Sequence, residues 1–260
     1  DNEADSVTRP PFAAPRHIAS IDDCYFYHTM DVPGHGTVQG EWDLRPNLDA
    51  YLGGYDLSGK RMLDVGAANG IMTFHAERKG AEVVSFDLSD DYSWDIVPYR
   101  DSNRDQIDQE RRGHMRRINN GYWYCHRLMN SKAQAVYSNV YNIPVEIGPV
   151  DVAFYGSILL HLRDPFLAMQ NGARLATSAL IVSDLPPYAE LGPKISRFLK
   201  HPVFLPDPVL KEPWDAWWNL PPRLIEKYMA ILGFPNTTVT WHKQLYQGKP
   251  RTLYTVVGKR

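Results

Sequence analysis

Apolar positions along this chain cluster in short runs bounded by glycine. The run Met62-Leu63-Asp64-Val65 leads into the turn Gly66-Ala67-Ala68-Asn69-Gly70. A segment from Ile71 to Lys79 follows, Gly80 stops it, and Val83-Val84-Ser85-Phe86 ends on Asp87. Short apolar runs on either side of a longer periodic segment predict strand, tight turn, helix and strand, a βαβ unit. In such units an acid at the tip of the second strand is placed to meet ribose hydroxyls. Asp87 stands there.

The same reading continues downstream. Ala135 to Tyr141 is a strand-like run, Val150 to Tyr155 a strongly apolar strand, Ile158 to Leu162 a helical turn, and Ala179 to Asp184 a further strand. Phe166 to Ala176 predicts a helix with Asp164 at its N-cap and Pro165 at its first position. Pro222 to Leu232 is amphipathic and is closed by Gly233. Thr237 to Leu245 and Thr252 to Gly258 alternate as a C-terminal hairpin joined through Gln247-Gly248-Lys249-Pro250. Upstream, Leu44, Leu48, Tyr51 and Leu52 keep helical spacing over Asp43 to Leu52, with Pro46 in the first turn.

Two stretches break this rhythm. Residues 90–135 are polar, charged and aromatic; they predict a charged helix over Asp105 to Asn119, weakened by Gly113, and an aromatic helix over Tyr122 to Met129. Residues 185–222 are dense in proline and carry Trp214, Trp217 and Trp218. Both far exceed the roughly 2–6 residues of an ordinary connection and read as insertions that form a cap. The expected organisation is an N-terminal cover segment, residues 1–57, with a loose start over residues 1–20, ahead of a binding domain over residues 58–260. Strands alternating with helices make the fold class α/β.

Composition narrows the function classes. The net charge of −2 gives no argument for nucleic acid or an anionic membrane surface, and no apolar run reaches the length of a membrane span. The start of the chain is polar, without a signal pattern. Cys24 and Cys125 lie far apart and in no metal-like spacing, which fits a reducing cytoplasm. The histidines form no compact ligand pattern with acids, so no metal is expected. Seven Trp and fifteen Tyr supply aromatic material for a core and for a pocket.

The turn chemistry narrows them further. A dinucleotide site wants G-x-G-x-x-G so that backbone approaches a pyrophosphate. That spacing is absent here, and Asp64, two residues before Gly66, would repel a pyrophosphate. The same carboxylate suits an ammonium group, and a nucleoside that carries an amino acid and no phosphate is S-adenosylmethionine. Asp64 with Gly66, Ala67 and Gly70 would hold its methionine end, and Asp87, with Leu88 beside it, its ribose.

LDVGAANG followed by VVSFD resembles the first two motifs of class I S-adenosylmethionine-dependent methyltransferases, and DVAFYGSILLHLRDP resembles their fourth-strand motif. The resemblance runs from about Asp43 to the C-terminus. It implies a Rossmann-like sheet of seven strands with helices on both faces, an antiparallel C-terminal end and S-adenosylmethionine as cofactor. Ala68 departs from it, since the family usually has a second glycine there. YHTMDVPGHGTVQGEWDLRP, SNVYNI and WWNLPPRLIEKYMAILGF are also similar to a subgroup that includes tRNA wobble-uridine carboxymethyltransferases.

By that analogy Asn139 and Val140 lie near the adenine. Tyr155 and Gly156, at the end of the fourth strand, pass beneath the reacting atoms. His161, one turn on, is the candidate catalytic base. Trp42 and Arg45 would close over the cofactor, Arg45 pairing with its carboxylate. His28, Trp94, Tyr124 and Trp218 are candidates for the substrate pocket. The basic run Arg111 to Arg117, preceded by Asp105, Asp108 and Glu110, reads as a salt-bridged solvated helix face. The expected activity is methyl transfer to an O or N nucleophile of a small molecule, aromatic ones included. A tRNA wobble-uridine (carboxy)methyltransferase and a non-catalytic cofactor-binding module are the alternatives.

Overall fold

The computed structural model describes residues 11–189 and 193–260. The first ten residues of the expected loose start, and residues 190–192 of the second insertion, lie outside the described residues. The rest of that start is held: Phe12 bridges to Val136, and the Ala13 N–H donates to the Ala135 carbonyl at 2.7 Å.

In chain order the elements begin with a small hairpin, β1 (Met30–Val32) and β2 (Gly36–Val38), then β3 (Trp42–Asp43) and α1 (Leu48–Tyr51). The βαβ unit follows as β4 (Arg61–Val65), α2 (Ile71–Arg78) and β5 (Glu82–Asp87). Next come α3 (Arg104–Leu128), β6 (Gln134–Tyr137), β7 (Val150–Gly156), α4 (Pro165–Ala173) and β8 (Ala176–Asp184). The second insertion holds α5 (Pro193–Ser196), β9 (Val203–Phe204) and β10 (Trp218–Asn219). The chain closes with α6 (Pro222–Ile231) and the hairpin β11 (Asn236–Tyr246) and β12 (Lys249–Lys259).

The main sheet has eight strands in the order β3-β11-β12-β8-β7-β4-β5-β6. Strands β8, β7, β4, β5 and β6 pair parallel, and β12, β11 and β3 are antiparallel to their neighbours. Seven strands match the expected sheet. The eighth, β3, comes from the cover segment and pairs with β11 through Leu245↔Asp43 and Tyr246↔Trp42. The Trp42 and Tyr246 rings sit 4.8 Å apart over that join. A sheet edge left open is a liability, and these two residues cover part of it.

Alternation along the strands builds two apolar layers. Met62, Val83, Val152, Phe154, Ile181 and Leu253 face one way and pack with α1, α2 and α3. Leu63, Val84, Ala153, Tyr155, Val182 and Tyr254 face the other way and pack with α4 and α6. The result is a three-layer α/β fold with the carboxyl ends of β4 to β7 aligned along one rim. Cys24 and Cys125 are buried free thiols. No helix among the described residues is long and apolar enough to cross a membrane.

Three local expectations change. The helix expected over Asp43 to Leu52 is instead β3, a 3-10 turn Arg45–Asn47 with Pro46 in it, and the four residues of α1. The strand expected over Ala135 to Tyr141 ends at Tyr137, because the Asn139 side chain accepts from the Tyr141 N–H at 2.8 Å and starts a 3-10 turn. The two helices expected in the first insertion are one, α3, of 25 residues. Its inner face carries Met115, Ile118, Tyr122 and Trp123 into the core, and this burial outweighs the penalty of about 1 kcal/mol for Gly113.

The two glycines of α3 serve different ends. A methyl group at Gly113 would meet nothing within 4 Å, whereas one at Gly121 would stand 2.6 Å from Asn69 Nδ2 and 3.2 Å from the Tyr25 carbonyl. Gly113→Ala is therefore expected to stabilise the protein by about 1 kcal/mol, and Gly121→Ala to destabilise it by roughly 1–3 kcal/mol. Urea unfolding of both variants checks this; equal effects would contradict the packing assigned to Gly121.

Candidate active site

A cavity of about 640 Å³ opens at the carboxyl ends of β4 to β7. Its floor is built from strand ends and the loops after them: Gly66 and Ala68, Asp87 and Leu88, Asn139 and Val140, Gly156 and Ser157. Its walls come from the cover segment (Tyr27, His28, Glu41, Trp42), from α3 (Arg111, His114, Met115, Ile118) and from the two insertions (Trp94, Asp95, Leu185, Asp215).

The glycine turn has an unusual backbone. Gly66 lies at φ 81°, Gly70 at φ 84°, and Ala68 between them at φ 47°, in the left-handed region where a β-carbon is strained. The position where the resemblance expects glycine thus keeps a glycine-like conformation with alanine in it. Asp87 helps hold it there: its Oδ2 accepts from the Ala68 N–H at 2.7 Å and its Oδ1 from the Leu88 N–H at 2.7 Å. A carboxylate has about four acceptor sites, so one on each oxygen stays free toward the cavity. Burial pushes the Asp87 carboxyl up to about 6, against the pull of those two amides.

Asn69 ties this turn to the walls. It is fully buried; its Oδ1 accepts from the Tyr27 N–H at 2.6 Å, and its Nδ2 donates to the carbonyls of Tyr25 (2.7 Å) and Ile118 (3.1 Å). Opposite, Ser157 follows β7 at φ 49°, a second strained non-glycine residue on the cavity floor, and accepts from the Tyr51 hydroxyl at 2.8 Å.

His161 closes the 3-10 turn Leu159–His161 and lines the cavity. Its Nδ1 lies 2.6 Å from the Asp215 carbonyl, which accepts only, so Nδ1 carries the proton. Nε2, the other ring nitrogen, has no protein partner among the described residues. Trp94 packs beside it, ring centroids 6.0 Å apart. Two lining residues each bury a polar atom that has no partner among the described residues: His28 Nδ1 and Trp94 Nε1. Burial pulls the His28 imidazole down to about 4.

The expected site residues divide accordingly. Gly66, Asp87, Leu88, Asn139, Val140, Gly156, Trp42, His28, Trp94 and His161 all line the cavity. Asp64 does not: its carboxylate is buried and accepts from Thr73 Oγ1 at 2.7 Å, an internal partner where a ligand ammonium was expected. Arg45 does not line the cavity either: it spans Asp43 with Nε (2.9 Å) and Nη2 (2.8 Å) and reaches Asp31. The Tyr155 hydroxyl donates to the Ala168 carbonyl at 3.0 Å on the α4 side of the sheet. Tyr124, itself buried, bonds Nε2 of the exposed His35 at 2.8 Å, and Trp218 donates to the Arg163 carbonyl at 3.2 Å. Ala67 and Gly70 shape the turn from behind the cavity wall.

Other lining residues carried no sequence signal of their own: Tyr27, Glu41, Tyr51, Asp95 and His114. The basic run is internally paired at three of its arginines. Arg112 meets Asp108, Arg116 meets Asp90, and Arg117 donates to the Cys24 carbonyl. Arg111 alone turns into the cavity wall.

No protein-family model matches the sequence, and no curated protein matches it. Solved structures do share its fold. One is the magnesium protoporphyrin IX methyltransferase of Synechocystis PCC 6803 with bound SAH, 14% identical over 82% of this chain and 81% of that one, with a TM-score of 0.52. Another is the N-terminal domain of EvdMO1, solved in the presence of SAH and D-fucose, 15% identical over 92% of both chains, with a TM-score of 0.52. The chain shares the Rossmann-like fold of these two structures, with its own sheet ending in the antiparallel β11–β12 hairpin.

The buried acids beneath the cavity make a pH prediction. Burial pushes Asp64 up to about 7, with the Asp87 charge adding to it, and Asp184 up to about 7. The unfolded chain loses these protons near pH 4. Between there and about pH 7 the folded state binds more protons, so stability contributed at low pH is lost as pH rises. Asp64→Asn removes one such group. The native protein's stability advantage over this variant is expected to shrink by on the order of 1–4 kcal/mol between pH 4 and pH 8, measured by urea unfolding; a pH-independent difference would contradict it.

Proposed function

We propose that this protein is an S-adenosylmethionine-dependent methyltransferase acting on an O or N nucleophile of a small molecule. The observation that carries the reading is Asp87: a carboxylate at the tip of β5, fixed by the Ala68 and Leu88 amides, with a free acceptor site on each oxygen facing the cavity. Two adjacent acceptors suit the two ribose hydroxyls. The cavity volume falls within the range of small-ligand sites. The solved neighbours of the same fold carry SAH, S-adenosylhomocysteine, the demethylated form of the donor.

In this reading Asp87 holds the ribose, Leu88, Asn139 and Val140 surround the adenine, and the Gly66–Ala68 turn and Trp42 border the amino-acid end. When bound, S-adenosylmethionine supplies an electrophilic methyl group on a sulfonium. The chain's own work is to orient the acceptor, exclude water and manage one proton. His161, held as the Nδ1–H tautomer by the Asp215 carbonyl, takes the acceptor's proton on Nε2. Gly156 and Ser157 keep the end of β7 low beneath the reacting atoms. Residues 1–57 act as the cover of a binding domain over residues 58–260, in a reducing cytoplasm that leaves Cys24 and Cys125 as thiols.

A tRNA wobble-uridine (carboxy)methyltransferase is the finer alternative raised by the sequence resemblance. It calls for a broad basic surface, and three arginines of the most basic run are already committed to internal acceptors. The small-molecule reading is preferred on that ground. Two substitutions separate binding from chemistry. Asp87→Ala is expected to weaken binding of S-adenosylhomocysteine by about 10–100-fold in calorimetry, from the loss of charge-assisted hydrogen bonds. His161→Ala should keep that affinity and lower the rate of S-adenosylhomocysteine formation, with a panel of phenol, catechol and amine acceptors, by about 10²–10⁴-fold. Unchanged affinity in the first variant contradicts the ribose role. Binding by the native protein without turnover on any acceptor favours a non-catalytic module.

A further inference from the structure

Arg111 is the cation of the basic run that the internal pairing leaves over. Its guanidinium lies 4.7 Å from the centre of the Trp214 ring and 5.7 Å from that of Trp94, on the cavity wall. The two indoles are themselves stacked, 6.3 Å apart at 26°. Among the described residues no carboxylate stands within ion-pair distance of Arg111 and no acceptor takes a hydrogen bond from it. Glu41 shares the wall, but its carboxylate accepts from the Tyr25 hydroxyl. A planar guanidinium held by aromatic faces, with its N–H fork unspent, is pre-organised to receive a carboxylate in two parallel hydrogen bonds.

Its position relates it to the acceptor side of the cavity. Trp94 touches Arg111 in one direction and His161 in another, at 6.0 Å between the ring centres. Both groups flank the one Trp94 ring, at 6.0 Å and 5.7 Å from its centre, so their separation does not exceed the reach of a substituted aromatic ring with a hydrogen bond at each end. The glycine turn lies further off, since Asn69 meets α3 at Ile118, seven residues and about 10 Å of helix from Arg111. We propose that the methyl acceptor is a small aromatic acid, whose carboxylate Arg111 receives while its nucleophile sits at His161. This rests on the methyltransferase reading.

The donor's own carboxylate is the competing source of negative charge, and one experiment separates the two. Calorimetry of the protein saturated with S-adenosylhomocysteine uses 4-hydroxybenzoate, 4-hydroxyphenylacetate and 4-hydroxycinnamate, each against its primary amide. At least one acid is expected to bind tenfold or more tightly than its amide. Arg111→Gln should erase that ratio while its affinity for S-adenosylhomocysteine stays within twofold and its circular dichroism is native. The proposal is overturned if no acid outbinds its amide, if the ratio survives in Arg111→Gln, or if that variant loses S-adenosylhomocysteine, which would give Arg111 to the donor. Failure of the native protein to bind S-adenosylhomocysteine sinks the methyltransferase reading instead. The acid-to-amide ratio on the protein alone then still decides whether Arg111 receives an anion.

Discussion

The side-chain amide of Asn69 is the contact on which the cavity depends. It belongs to the glycine turn, yet its four hydrogen bonds go to the cover segment at Tyr25, Tyr27 and His28 and to α3 at Ile118. Each polar group left unmatched in so buried a place costs about 1–3 kcal/mol, so the three segments are held in one arrangement. The floor made by Gly66 and Ala68 thereby meets the walls made by Tyr27, Trp42, Met115 and Ile118. Gly121 belongs to the same constraint, because any side chain there would displace the amide. The eighth strand, β3, extends it by fastening the cover to the far edge of the sheet.

Charge in this pocket is sorted by burial. Asp64 lies behind the turn and answers to Thr73, while Asp87 stands in front of it with acceptor capacity to spare. What separates their roles is that Asp87 lines the cavity and Asp64 does not. Arg45 and Arg111 divide in the same way. One is consumed by Asp43 and Asp31, and the other is held open by two indoles. In the proposed reading, a ligand that crosses the cavity from Asp87 to His161 and on to Arg111 meets an acceptor pair, a base and an anion receptor in turn.

The βαβ unit was legible in the sequence because its signals are local: apolar runs, a glycine turn and a terminal acid within 27 consecutive residues, Arg61 to Asp87. The terminal hairpin and the Asp164-Pro165 helix start were legible for the same reason. What could not be read were partners set by tertiary contact. Asn69 bonds groups 42, 44 and 49 residues away, and no window of sequence announces that. Arg45, Tyr124 and Trp218 have the right chemistry for a site and point elsewhere, since Asp43, His35 and Arg163 reach them first. Gly113 suggested a break in α3 because a local penalty of about 1 kcal/mol is visible in sequence, while the buried face that outweighs it is not.

The account stands or falls on where the donor lies. A crystal structure of the protein with S-adenosylhomocysteine is the most direct measurement. The account predicts both ribose hydroxyls within hydrogen-bond reach of the two Asp87 oxygens, roughly 2.5–3.0 Å, the adenine against Leu88 and Val140, and Asp64 still bonded to Thr73. A ligand bound elsewhere, or one in this cavity with its ribose clear of Asp87, would contradict it.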